Sequence, residues 1–204
     1  MSEHLDGIGE RLREERVKAG LSQRELARRL GVSPSLISQM ETGQSNPSVG
    51  TLYAMVNELD LSLDRLIRGA SYVGNEPSRA KDMSPTSALL HPEERKTIEL
   101  ASGVRWEQLT WESEDGVDFL HAVYEVGGAS TPDESLMRHH GREYGYVMSG
   151  TLGVQISFEE FLLNPGDAIS FDSTLPHRLF NKGPEPVDAI WFVVGRGADD
   201  RAHG

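Results

Sequence analysis

The chain contains no cysteine, which excludes disulfides and zinc–thiolate sites. It has no apolar run approaching the ~18 residues a membrane-spanning helix needs. The opening stretch, MSEHLDGIGERLREERVKAG, is charged from its start and lacks the apolar core of a signal peptide, so a cytoplasmic location is expected. Basic residues are also in short supply: 20 Lys and Arg face 32 Asp and Glu, a net charge of −12. Spread evenly, that balance would repel nucleic acid. It is not spread evenly. The first 70 residues hold nine basic and ten acidic groups, and the remainder holds 11 and 22. Seven of the nine basic residues fall between Arg11 and Arg29, a cationic stretch able to reach phosphates, whereas the acidic second half is poorly suited to a DNA interface. Without a recognisable motif nearby, the same arginines would read equally well as a solvated helix face.

Residues 6–68 have the periodicity of successive helices. Ile8, Leu12 and Val17 mark the first, which stops at Gly20. Ser22 with Glu25 three positions later fits a capping box, followed by Leu26, Ala27 and Leu30 and a stop at Gly31. Ser33 and Pro34 open a third helix whose buried side is Leu36, Ile37 and Met40. Ser48 caps a fourth, with Leu52, Met55, Val56 and Leu59, and Leu61 to Ile67 gives a short fifth. Residues 69–88 are rich in Gly, Pro, Ser and charge and read as a linker. From about Leu89 the period changes to two. Strands are expected at 105–110, 121–126 and 151–158, punctuated by Gly127-Gly128, Gly150, Asn164-Pro165-Gly166 and Lys182-Gly183-Pro184. Short strands separated by turns argue for an antiparallel sandwich or barrel.

Helices two and three, joined at Gly31, have helix-turn-helix spacing, in which the second helix enters the major groove. Ser33, Ser35, Ser38 and Gln39 can bond base edges or phosphates, and Gln23 and Ser33 stand at helix starts that favour a phosphate. The segment LREERVKAGLSQRELARRLGVSPSLISQMETGQSNPSVGTLYAMVNELDLSLDRLI resembles the lambda-repressor-like domain of XRE-type bacterial regulators. That resemblance implies a five-helix domain, dimeric binding to an inverted repeat, and DNA contacts from Gln23, Ser33, Ser35, Ser38 and Gln39, with Asn46 near the backbone.

A second resemblance covers residues 131–194. HHGREYGYVMSGTLGV and NPGDAISFDSTLPHRLFN are similar to the two successive motifs of a cupin, a double-stranded β-barrel. The match aligns His139, Glu143, Gly150, Pro165-Gly166-Asp167, His177 and Asn181. The family's first histidine is replaced by Met137, whose thioether is a poor ligand for hard or borderline divalent ions. The remaining two imidazoles and one carboxylate have the composition of a non-heme iron facial triad, and the resemblance implies a divalent metal, Fe, Zn, Ni or Mn. His140, at an odd offset, should point away. Two readings stay open: His139, Glu143 and His177 hold a metal, or they are hydrogen-bonded residues of a metal-free pocket. The effector pocket is expected around Met137, His139, Glu143 and His177. Trp106, Trp111, Phe119, Tyr124, Phe171 and Phe192 read as barrel core before ligand box.

The expected fold is therefore multidomain, α followed by all-β: a helix-turn-helix domain at 1–68, a linker at 69–88 and a cupin barrel at 89–204. The expected function is a sequence-specific, non-enzymatic transcriptional regulator, a homodimer on an operator in double-stranded DNA, whose barrel senses a small-molecule effector and whose linker relays the change. The alternative is a non-heme iron oxygenase or epoxidase-like cupin enzyme that keeps the helical domain for structure.

Overall fold

Three serines begin three of the four helices in the computed structural model, which describes residues 8–59, 61, 89–111 and 116–195. Ser22, Ser33 and Ser48 each hold extended backbone, and each hydroxyl accepts the N–H three residues ahead, from Glu25, Leu36 and Thr51, at 3.1 Å. The helices are α1 (Ile8–Lys18), α2 (Gln23–Leu30), α3 (Pro34–Glu41) and α4 (Val49–Glu58). Gly31 ends α2 in the left-handed region at φ 67°, where only glycine is unstrained, and its N–H returns to the helix carbonyls. Glu25 does not complete the expected capping box. Its carboxylate instead pairs with Arg28 and Arg29. The expected fifth helix, apart from Leu61, and the linker at 69–88 lie outside the described residues, among which there are four α-helices.

Val17, expected on the buried face of α1, is not there. Steps of four from Ile8 lead to Leu12 and then Arg16, and it is Arg16 that is buried, while Val17 is 59% exposed. Arg16 reaches across to α3, where its guanidinium binds both oxygens of the buried Glu41 carboxylate and the Leu21 carbonyl. A bidentate Arg–carboxylate pair is among the strongest polar contacts a small helical core can hold.

The second domain is antiparallel throughout. Its strands are β1 (Thr97–Leu100), β2 (Val104–Gln108), β3 (Val117–Tyr124), β4 (Arg142–Ser149), β5 (Leu152–Ile156), β6 (Glu159–Leu163), β7 (Ala168–Asp172), β8 (His177–Phe180) and β9 (Val187–Val194). A six-stranded sheet, in the order β1-β2-β3-β9-β4-β7, faces a three-stranded sheet, β6-β5-β8. Alternation sends Trp106, Leu120, Tyr124, Val147, Phe171 and Trp191 into the barrel, where they meet Leu152, Val154 and Leu179 of the smaller sheet. Of the aromatics expected in the core, Trp106, Tyr124 and Phe171 are there. Phe119 and Phe192 pair on the outer face, 5.7 Å apart, and Trp111 is 37% exposed with its indole N–H on the Leu89 carbonyl. The single-residue alternation of β3 and β9 decides this, because Leu120 and Trp191 take the inward positions.

The two domains share one continuous hydrophobic core. The Ala101 N–H donates to the Pro47 carbonyl at 2.9 Å, and the Gly50 N–H donates to the Ser130 carbonyl at 3.0 Å.

Candidate functional site

Two surfaces carry the residues singled out by sequence. On α3, Ile37 and Met40 are buried against α1 and α2, so positions 35, 38 and 39 turn outward. Ser35 and Gln39, one turn apart, are exposed on one face, with Ser38 half-buried beside them. Ser33 is exposed, and its hydroxyl caps α3. Asn46 is half-buried in the loop between α3 and α4. Gln23 is placed differently from the rest. Its amide N–H donates to Glu41 at 2.7 Å, joining the start of α2 to the end of α3 and to Arg16. The residue expected at a phosphate is thus also a strut that sets the angle between the two helices.

The second surface is internal. His139 lies just ahead of β4, Glu143 on β4 and His177 at the start of β8, and all three are buried. Gly141, at φ 111°, bends the chain between His139 and Glu143 so that both still face inward, and His140 points out to solvent as its odd offset requires. Met137 is bound backbone to backbone with His177, each N–H donating to the other's carbonyl at 2.9 Å. His139 Nδ1 lies 3.1 Å from the His140 carbonyl, and His177 Nδ1 lies 2.8 Å from the Leu175 carbonyl. A carbonyl only accepts, so both Nδ1 atoms carry a proton, and in a neutral ring Nε2 is left as a bare lone pair.

Those two Nε2 atoms converge on one carboxylate oxygen, Glu143 Oε1, at 2.9 and 3.0 Å. With neutral imidazoles all three atoms are acceptors, and none has a donor among the described residues. Three buried acceptors in mutual contact are satisfied only by a cation between them, either a proton on each ring or a metal ion. These residues could hold a divalent metal, and two neutral histidines with one carboxylate suit Fe, Zn, Ni or Mn. Burial alone would raise the Glu143 carboxyl, but two imidazoles protonated at Nε2 outweigh it through their hydrogen bonds and charge and hold the group well below the usual carboxylate range. Burial, with the Glu143 charge adding to it, pushes the Tyr124 phenol well above its ordinary value, so that ring stays neutral beside the carboxylate.

The other oxygen of Glu143 is held by a residue that sequence reasoning missed. The Trp191 indole N–H donates to Oε2 at 2.6 Å. It can do so because Gly145, its partner in the β4–β9 register, has no side chain: a β-carbon there would lie 2.0 Å from the Trp191 ring. A glycine two residues after the ligand on β4 was visible in sequence, but the strand pairing that puts Trp191 across from it was not. Trp191→Phe keeps the ring and removes the donor. It is expected to weaken Co(II) binding about 10–100-fold in an equilibrium titration, as removal of an outer partner of a metal ligand does. Unchanged affinity would show that the indole only fills space.

Residues 12–66 match the helix-turn-helix family model, and residues 120–193 match that of the cupin domain. Over 182 residues, 89% of this chain and 91% of the relative, the chain is 26% identical to the HTH-type transcriptional regulator PuuR of Escherichia coli strain K12. Among solved structures, an HTH_3 family transcriptional regulator from Vibrio cholerae aligns with a TM-score of 0.64 at 21% identity, covering 94% of this chain and 97% of that one. That likeness is one of fold. A hydroxypropylphosphonic acid epoxidase from S. wedmorenis reaches a TM-score of 0.47 at 19% identity, over 95% of this chain and all of that one, a level too low to bear on activity.

Proposed function

We propose that the chain is a DNA-binding transcriptional regulator joining an XRE-type helix-turn-helix domain to a cupin domain, and that the barrel senses a small-molecule effector at His139, Glu143 and His177. The observation that carries this reading is the convergence of three buried, unsatisfied acceptor atoms in a barrel packed directly on the DNA-reading domain. A divalent cation bound there would supply a Lewis-acidic centre whose open positions take an oxygen or nitrogen donor of the effector. The protein's own part is to fix the geometry. The His140 and Leu175 carbonyls orient the imidazoles, Trp191 orients the carboxylate, and the apolar wall of Trp106, Tyr124 and Phe171 keeps bulk water out.

On the DNA side, Ser35, Ser38 and Gln39 read base edges, while Ser33, Gln23 and Asn46 meet the backbone. Two copies act together, because half-sites lie about 34 Å apart and a single reading helix gives little specificity. A second copy has a surface to meet. The outer face of β3, β9 and β4 carries Phe119, Phe192 and Tyr144 in one cross-strand row, with Tyr146 and Met148 exposed beyond it. Sedimentation of the full chain as a monomer at micromolar concentration would remove this part of the reading.

The test of the whole uses operator fragments selected from genomic DNA. Protein stripped with chelator and protein reloaded with Fe(II), Zn(II), Ni(II) or Mn(II) are compared for operator affinity, with and without cell metabolite fractions. A response that depends on metal and disappears in His177→Ala, whose DNA affinity in the unresponsive state stays that of the native chain, is the expected result. An identical response with and without metal would overturn the triad as the sensor. Oxygen consumption by the Fe(II) form, with no selective binding to any fragment, would favour the non-heme iron enzyme instead.

A further inference from the structure

The helical domain places one of its own side chains on the triad. Tyr53 lies on α4, is buried, and stacks on the His139 ring with centroids 4.1 Å apart and planes 27° from parallel. It also meets Trp106, on the barrel wall, at 5.6 Å. His139 meets His177 edge-on at 5.1 Å, so the imidazole is enclosed between a barrel residue and a residue of the DNA-binding domain. The helix can come this close because position 50, one turn before Tyr53, is glycine. A β-carbon there would lie 2.8 Å from Thr131 Cγ2 and 3.6 Å from Met137 Cβ, and the Gly50 N–H is bound to the Ser130 carbonyl. Met137, which stands where the cupin resemblance expects a histidine, therefore lies against the docked helix. At its far end α4 reaches the reading helices, since Glu58 pairs with Arg29 of α2 at 2.6 Å.

We propose that Tyr53 is a constituent of the barrel's ligand site supplied by the DNA-binding domain, positioning His139 from above. A ligand that displaces His139 is then felt at α4. This rests on the sensor reading above and alters its route, because the change passes through α4 without requiring the segment at 69–88. The physical reason is that ring stacking and a close glycine contact tolerate little sliding. A shift of His139 by the width of a bound atom breaks the stack or carries the helix along. The occupant that the donor set accepts first is a divalent cation, which is therefore the probe.

The full chain is used, with amide hydrogen exchange read separately on residues 49–58 and on the barrel strands. Without metal, Tyr53→Leu and His139→Gln should each speed exchange at Gly50 and along α4 by about tenfold or more while the strands stay protected. The double variant should be no faster than the faster single one, the mark of a shared contact. With Co(II), Tyr53→Leu should shift the visible absorption of the bound ion and change its affinity about tenfold, an effect that a merely structural helix contact would not have. Tyr53→Phe, which keeps the ring on His139, should lie closer to the native chain than Tyr53→Leu in both measurements. Multiplicative rates in the double variant, or a Co(II) spectrum and affinity untouched by Tyr53→Leu, would overturn the proposal. Should the native chain bind no Co(II), the metal reading fails and the metal-free exchange cycle alone decides on Tyr53. Should Tyr53→Leu not fold, His139→Gln decides, because a barrel substitution that leaves α4 exchange unchanged refutes the coupling.

Discussion

Replacing Ser35 and Gln39 together with alanine is expected to abolish selective operator binding and leave the barrel folded. Both side chains are exposed on one face of α3, and Ile37 and Met40 on the opposite face hold the helix to its neighbours, so their truncation removes contacts to DNA without opening the core. A well-placed contact to a base edge discriminates by about 1–3 kcal/mol, so losing two costs roughly a hundredfold or more in affinity for the operator. Binding to random duplex should change little, because that part of the affinity comes from phosphate contacts and falls with salt. Competition between operator and random fragments at fixed salt measures the ratio. Retention of the native ratio in the double variant would mean that α3 is not the reading helix.

The second large effect is expected at Glu41. Its carboxylate is buried and takes both guanidinium bonds from Arg16 and the amide of Gln23. Glu41→Leu leaves the buried Arg16 charge without a counter-ion, held only by the Leu21 carbonyl, and breaking a buried pair in this way typically costs about 3–5 kcal/mol. In a domain this small, that would melt the helical half well below the barrel in a denaturant series. The double replacement of Arg16 and Glu41 by apolar residues should recover much of the loss, since no stranded charge remains. The same pair sets an acid limit. Burial pushes the Glu41 carboxyl up, but the hydrogen bonds from Arg16 and Gln23 and the Arg16 charge bring it below its ordinary 4.5. A carboxyl whose folded value is depressed contributes stability above its unfolded value and loses it as the pH falls through the folded one. The helical domain should therefore weaken on acidification below about pH 4.5, and Glu41→Gln should flatten that part of the profile. An unchanged acid transition in Glu41→Gln would assign the effect to other carboxylates.

These two cases also show how much could be read in advance. The faces of α3 followed from residue spacing, because a helix of eight residues has only one way to bury Ile37 and Met40. Glu41 was not legible. Its partner Arg16 is 25 positions away, and an arginine in an apolar stripe reads as solvated until the opposing helix is known. In the barrel, the two motifs located His139, Glu143 and His177, and the structure brings all three together. Trp106, Tyr124 and Phe171 lie in the core while Phe119 and Phe192 lie on the outer face. Alternation tells which residues share a face, but not which face is inside when both are rich in aromatics, as on β3 and β9.

Taken by itself, the sequence determined what local chemistry decides: three serine-capped helix starts, the glycine stop between α2 and α3, the outward serines and glutamine, and the identity of the triad His139, Glu143 and His177. Tertiary structure alone decided what depends on meetings across long stretches of chain: Arg16 with Glu41, Trp191 over Gly145, and Tyr53 on His139. Capping and periodicity act within a turn or two of backbone, so they leave a trace in neighbouring residues. A contact between domains is set by register and docking, and those are fixed only when the whole core closes.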